Sequence, residues 1–221
     1  MSADLSHVDT WLFDLDNTLY PQECELMGLV AKRMTIFVAR ATGLARDDAF
    51  ALQKRYLHEH GTTLAGLMAN HGVDPEDFLN EVHDVSIDCV PPDPELGEAL
   101  ARLPGRRLVF TNGDDRHAGR VLDRLGIAEH FEAVFHLRSG DYIPKPSMRT
   151  FERMMAKHAV DPARAIFFED SERNLKPAAE LGMTTVLVGP EAAASVADFV
   201  QYRTHKLTPF LNAARLKETD R

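Results

Sequence analysis

Short apolar runs rich in aromatic and β-branched residues recur along this chain, and each passes directly into polar residues. They are Trp11–Leu15, broken only by Asp14, then Leu108–Phe110, Ala165–Phe168 and Thr184–Val188. Runs this short, without alternating polarity, fit strands covered on both faces. Helical patterns fill the intervals at Arg116–Leu125, Met148–His158 and Leu175–Leu181. Strands that alternate with helices predict an open, mostly parallel α/β sheet. Such sheets bind ligands beyond the carboxyl ends of their strands, which is where the polar residues fall.

The alternation is interrupted once. Leu26, Leu29, Val30, Met34, Phe37 and Val38 follow helical spacing, and further helical stretches begin near Asp47, Thr62 and Pro75 before Pro91, Pro92 and Pro94 punctuate the return. The expected fold is therefore a Rossmann-like sheet domain, residues 1–20 and 95–221, carrying an inserted helical cap over residues 21–94. The stretch from Gln201 reads equally as a helix or a loose tail, and no internal repeat is evident.

Composition narrows the partners. Lys and Arg number 25 against 34 Asp and Glu, a formal net charge of -9. Nucleic acids and anionic membranes are held by neutralising many phosphates, so neither is expected as a partner. Residues 21–94 hold 12 acidic and 6 basic residues, net -6, which leaves -3 for the remainder. Cys24 and Cys89 lack the spacing of a zinc site, and no disulfide framework is expected from two cysteines. No stretch has the length of a membrane span or the pattern of a signal peptide, which predicts a soluble, cytoplasmic protein.

Four polar elements stand at the expected strand ends or in loops between elements: Asp14-Leu15-Asp16-Asn17-Thr18, Thr111-Asn112-Gly113, Lys145-Pro146 and Glu169-Asp170. Taken singly, each has an ordinary role. An Asp after a strand forms turns or caps helices, and a Lys before Pro sits on surfaces. Their order is the informative part, because carboxylates, a hydroxyl, an amide and a cation arrive together.

In that order they resemble the four motifs of the haloacid dehalogenase superfamily. More narrowly, DLDNTLYP, FTNGDDRHAGRVLDRLGI, PKPS and FFEDSERNL resemble the pyrimidine 5′-nucleotidase branch. The resemblance implies that Asp14 attacks phosphorus to form an aspartyl phosphate and that Asp16 serves first as acid and then as base. For that role the Asp16 pKa is expected to be raised by neighbouring carboxylates. Thr111, the Asn112 backbone N–H and Lys145 would bind phosphate and offset its charge. Asp14, Asp170 and the Asp16 backbone carbonyl would hold Mg²⁺, with Glu169 binding directly or through water. The acidic pair Glu169-Asp170 departs from the commonest pair of the superfamily, and Ser171 and Asn174 read as a helix cap and a first-turn residue.

The implied activity is Mg²⁺-dependent hydrolysis of a small phosphomonoester, most specifically a pyrimidine nucleoside 5′-monophosphate, under a lid supplied by the insertion. A sugar-phosphate mutase and a non-catalytic binding relative are the alternatives. Tyr20 and Met27 follow the Asp14 loop and are expected to pack in the core rather than touch a leaving group. His58, His60, His71 and His83 lack metal-ligand spacing and are expected on solvated helix faces. His117 reads as an exposed helix start or as a residue within reach of substrate. If all are ionised, Asp14, Asp16, Glu169, Asp170 and Lys145 sum to -3. The phosphate is therefore expected to enter only with its cation.

Overall fold

The structure, a computed structural model, describes residues 3–217. Six parallel strands, β1 (Thr10–Phe13), β2 (Arg106–Phe110), β3 (Ala133–Phe135), β4 (Ala165–Glu169), β5 (Thr184–Val188) and β6 (Tyr202–Thr204), form one sheet in the order β3-β2-β1-β4-β5-β6. The fold is Rossmann-like α/β, as the alternation predicts. The chain steps outward from β1 through β2 to β3, then crosses to β4 on the far side of β1. A crevice opens at the carboxyl ends of strands where such an order reverses. Here it lies between β1 and β4, which pair in register from Thr10↔Ala165 to Phe13↔Phe168.

Every residue of β1, β4 and β5 is buried, which is why these strands read as continuous apolar runs. Side chains still alternate between faces. Trp11, Phe13, Ile166 and Phe168 point into one core with Val121 and Leu125, whereas Leu12, Phe110 and Phe167 point into the other with Phe151, Met154 and Leu175. Phe13 stacks on Phe168 with ring centroids 4.8 Å apart.

Between β1 and β2 the chain makes four helices, α1 (Leu26–Thr42), α2 (Arg46–His60), α3 (Thr63–His71) and α4 (Pro75–Val82), and then α5 (Pro94–Ala101). Helices α1 to α4 share a core of their own around Val30, Phe37, Leu52, Tyr56, Leu67 and Phe78. Their starts are written locally: Thr62 Oγ1 accepts from Ala65 N at 3.1 Å, and Asp74 accepts from Glu76 N at 2.7 Å ahead of Pro75. Gly66 is needed for a close approach, since a Cβ there would lie 2.3 Å from Tyr56 Cγ.

Helices α6 (Asp115–Leu125), α7 (Met148–His158) and α8 (Glu172–Glu180) cover the sheet. The undecided stretch after Gln201 forms β6 and α9 (Leu207–Ala213), which packs against α5. Three elements escape the sequence pattern. Strand β3 has three residues and β6 carries Arg203 in the middle, too short and too polar for a periodicity to register, while α5 hides behind a cluster of prolines. Asp93 caps α5 by accepting from Leu96 N at 2.9 Å, so Pro94 begins a helix where the sequence suggests only punctuation.

Candidate active site

Strand ends and side-chain donors bring the four polar elements together. Asp14 follows β1, and its backbone N–H donates to Phe168 O at 2.9 Å, which sets it beside Glu169 at the end of β4. Lys145 comes from the loop before α7 and is 1% exposed, not on the surface. Its ammonium donates to Asp14 Oδ1, Glu169 Oε2 and the Phe110 carbonyl, each at 2.7 Å. Three donors meet three acceptors, so Lys145 acts here as the cation that joins two buried carboxylates. While those bonds stand, all three of its hydrogens are engaged within the protein. Its charge also lies 5.0 Å and 5.1 Å from the ring centroids of Phe110 and Phe167.

Asn112 fixes that lysine's loop with its side chain, which accepts from Lys145 N at 2.8 Å and donates to Lys145 O at 3.1 Å. The sequence points only to the Asn112 backbone. Thr111 is 2% exposed and its Oγ1 accepts from Gly113 N at 2.8 Å, which shapes the turn after β2. Asn17, with a left-handed φ of 60°, donates to Asp170 Oδ2 at 3.3 Å.

Asp14, Glu169 and Asp170 each offer a carboxylate oxygen, and these oxygens lie within 4.8 Å of one another. An all-oxygen set with this much charge suits a hard divalent cation such as Mg²⁺. Asn174, 6% exposed on α8, adds a buried Oδ1 with no hydrogen-bond partner, whereas Ser171 stands at the α8 N-cap without a side-chain cap bond. The crowding is visible in the proton affinities. Burial, with the charge of Glu169, pushes Asp14 up to about 8 although Lys145 opposes it. Burial also lifts Glu169 to about 7 against Lys145, and burial with Asp14 lifts Asp170 to about 6.

Asp16 behaves oppositely, which corrects the expected rise. Burial disfavours its charge, but the His117 imidazole and the Tyr20 hydroxyl together outweigh burial and hold it below the usual carboxylate range. Its partners are donors rather than acids: His117 Nε2 lies 2.7 Å and Tyr20 OH 2.6 Å from Oδ1.

Above these groups lies a cavity of about 430 Å³. Its floor is Asp14, Asp16, Thr111, Asn112, Lys145 and Asp170, and its walls include Met27, Met34, Gln53, Lys54, Phe78 and His83 from the helical insertion. Met27 packs against the core of the insertion, as expected, and also lines the cavity.

A family profile described as haloacid dehalogenase-like hydrolase matches residues 8–182. The chain belongs to that family. Phosphate metabolism protein 8 of Saccharomyces cerevisiae is 30% identical to this hydrolase over 193 residues, 80% of this chain and 60% of the yeast protein. The hydrolase thus spans about three fifths of that relative's length. A glyceraldehyde 3-phosphate phosphatase of Methanocaldococcus jannaschii is 26% identical over 200 residues, covering 80% of this chain and 83% of the archaeal one. The crystal structure of a phosphatase of the same family from Thermococcus onnurineus shares the fold, with a TM-score of 0.61 at 20% identity over 94% of this hydrolase and 100% of that chain.

For two histidines of the hydrolase that bear on the site, the structure overturns the exposed reading. His117 is fully buried rather than an exposed helix start, and His83, 8% exposed, lies off any solvated face. The available signal is the amphipathic pattern of α6, which puts His117 on the same buried face as Ala118, Val121 and Leu122. Tyr20 packs in the core as expected, and its hydroxyl also reaches Asp16. His71 accepts or donates at 2.8 Å to Tyr56 OH, and His58 is exposed. Among the described residues, no helix is long and apolar enough to cross a membrane.

Proposed function

We propose that this chain is a Mg²⁺-dependent phosphomonoesterase working through an aspartyl phosphate at Asp14, with a nucleoside 5′-monophosphate, most specifically a pyrimidine one, as its substrate. The observation that carries this reading is the convergence of Asp14, Lys145, Glu169 and Asp170 on one another beneath the cavity. The name of the archaeal relative, a glyceraldehyde 3-phosphate phosphatase, supports the phosphomonoesterase part of this reading. A cavity of about 430 Å³ suits a small phosphorylated metabolite, and its methionines, Leu57 and Phe78 would face an apolar or planar leaving group.

In this reading the Asp14 carboxylate attacks phosphorus, the ester P–O bond breaks, and Asp16 protonates the departing alcohol. An incoming phosphate dianion favours the protonated form of Asp16, offsetting the pull of His117. Asp16 then takes a proton from the water that cleaves the aspartyl phosphate. Thr111 and the Asn112 backbone would donate to the phosphoryl oxygens, with Lys145 supplying charge through the carboxylates it joins. Mg²⁺, when bound by Asp14, Asp170 and the Asp16 carbonyl with help from Glu169, supplies charge neutralisation. Residues 21–94 act as a lid over the sheet domain of 1–20 and 95–221, excluding water.

A phosphate-release screen over nucleoside monophosphates and small metabolite phosphates, run with Mg²⁺ or EDTA, tests this. Pyrimidine monophosphates are expected to head the screen, EDTA to silence it, and Asp14→Asn to abolish turnover. Mg²⁺ alone is expected to raise the thermal midpoint of the wild type, an effect lost in Asp170→Ala. Normal hydrolysis by Asp14→Asn would overturn the proposal.

A further inference from the structure

The four catalytic motifs leave unexplained a buried chain of polar side chains behind Asp16. Oδ1 of Asp16 meets two donors, Tyr20 OH at 2.6 Å and His117 Nε2 at 2.7 Å. The imidazole of His117 is fully buried, and its Nδ1 has no partner. One face of that ring is covered by His83, which stacks on it at 4.6 Å between centroids with planes 17° apart. His83 follows α4 and so belongs to the helical insertion, while His117 belongs to α6 beside the sheet.

A single carboxylate ties the two histidines. Asp114 Oδ2 lies 3.0 Å from His83 Nδ1, and Asp114 Oδ1 accepts from His117 N at 2.6 Å as the N-cap of α6. Arg120 adds a bond to the His83 carbonyl at 3.0 Å. Burying four polar side chains is costly unless each is positioned by its bonds, so this arrangement is a framework with one functional end. That end is Asp16, which lies on the floor of the cavity among the motif residues, while His83 belongs to the wall and Tyr20, His117 and Asp114 are not among the lining residues.

We infer that His117 is a positioning residue for Asp16: together with Tyr20 it occupies Oδ1, so that Oδ2 is the oxygen that hands a proton to the leaving alcohol and later takes one from water. With both donors on Oδ1, a proton on this carboxyl group belongs on Oδ2. That oxygen faces the turn after β2, 3.7 Å from where a Cβ on Gly113 would lie. His83 holds the imidazole from the insertion side, so the acid/base oxygen is aligned while the insertion is seated on the sheet. The inference rests on the phosphatase reading above and adds to it the oxygen used and the residues that select it.

The leaving group provides the test. An alkyl phosphate needs a proton on its leaving oxygen, whereas nitrophenolate departs without one. For His117→Leu, kcat on an alkyl or nucleoside phosphate is expected to fall about 100-fold, the scale of acid/base catalysis, with KM within about threefold. The first-turnover burst from p-nitrophenyl phosphate is expected to change by less than about fivefold, because that step needs no acid. His117→Gln, which returns an N–H near the Nε2 position, should restore about tenfold of the loss on the alkyl substrate. Tyr20→Phe removes one hydroxyl and should show the same split at smaller size, which keeps the inference testable if His117 variants do not fold. Equal losses on both leaving groups, or wild-type kcat in both the His117→Leu and Tyr20→Phe variants, would overturn it. Asp14→Asn in the same assay separates the two ideas: activity there defeats the phosphatase reading, whereas an inactive Asp14→Asn beside an unselective His117→Leu defeats this inference alone.

Discussion

In the sheet, β1, β4 and β5 bury every side chain, and the charges at the carboxyl ends of β1 and β4 are locked by short bonds in the interior. In α1 to α4 each helix buries one face around Phe37, Leu67 and Phe78, and Leu29, Ile36 and Phe50 remain exposed. The two regions meet largely through cations on the sheet side. Arg138 holds Glu76 with two bonds at 2.7 and 2.8 Å, Arg173 donates to the Leu57 and Gly61 carbonyls, and Arg116 donates to Asn80. Of these partners only Glu76 is an acid, and the others are backbone carbonyl and side-chain amide oxygens, so the docking bonds draw little on the acidic excess of residues 21–94. Rigid placement comes from the sheet, and the wall of the cavity comes from a layer fastened at its edges.

The largest expected difference between the regions is chemical. Lys145→Met strips the cation from Asp14 and Glu169, and turnover should fall at least about 100-fold in a phosphate-release assay. Leaving two buried carboxylates unpaired should also cost about 3 kcal/mol in urea unfolding. Lys54→Met alters a lysine of the insertion that lines the same cavity, and it should change KM while leaving kcat within about threefold. Equal losses in the two variants would break the division of labour.

Packing gives the next largest effect. Leu137, 3% exposed, precedes Arg138 on the sheet side yet packs within the core of the insertion. Leu137→Ala should cost about 3 kcal/mol, and Gly66→Ala, which forces a Cβ against Tyr56, about 1–3 kcal/mol by thermal or urea unfolding. If the insertion were only loosely attached, Leu137→Ala would leave the midpoint unchanged.

Asp114 sharpens the comparison through pH, because it joins the regions. Burial opposes its charge, but the His83 bond and the N–H of His117 more than offset this and hold its carboxyl at about 2, below its ordinary 3.8. A depressed acid stabilises the fold above the unfolded value, and that stability is lost as pH falls from about 4 through about 2. Over that window the wild type should lose about 2 kcal/mol that Asp114→Asn lacks, read as a flatter acid limb in unfolding midpoints. The smallest effect belongs to the exposed edge. The coupling between Arg138→Ala and Glu76→Ala in a double-mutant cycle should be about 1 kcal/mol or less.

Much of this was legible in sequence, and the limits have a common origin. Strand β5 is read at its observed bounds, because a buried parallel strand writes its burial into consecutive residues. The motif residues were legible because each follows such a strand or sits in a loop of restricted composition. The burial of Lys145 and its bonds to Asp14 and Glu169 were not, since an ordinary surface lysine and a buried one share the same letters. For the same reason the sequence sets His83 on a solvated face and leaves His117 open between an exposed helix start and reach of the substrate: a histidine is polar in composition, and only its neighbours decide whether it is solvated.

The sequence by itself determined the α/β alternation, the single helical interruption and the order in which carboxylates, hydroxyl, amide and lysine arrive. These follow from local chemistry, from which residues favour strands, start helices or permit turns. Only the tertiary structure decided that β4 lies beside β1, setting Asp14 next to Glu169 across 155 residues, and that His117 meets Asp16 across 101. Strand adjacency and hydrogen-bond pairing are settled by the fit of distant surfaces, and that energy resides in no single stretch of chain.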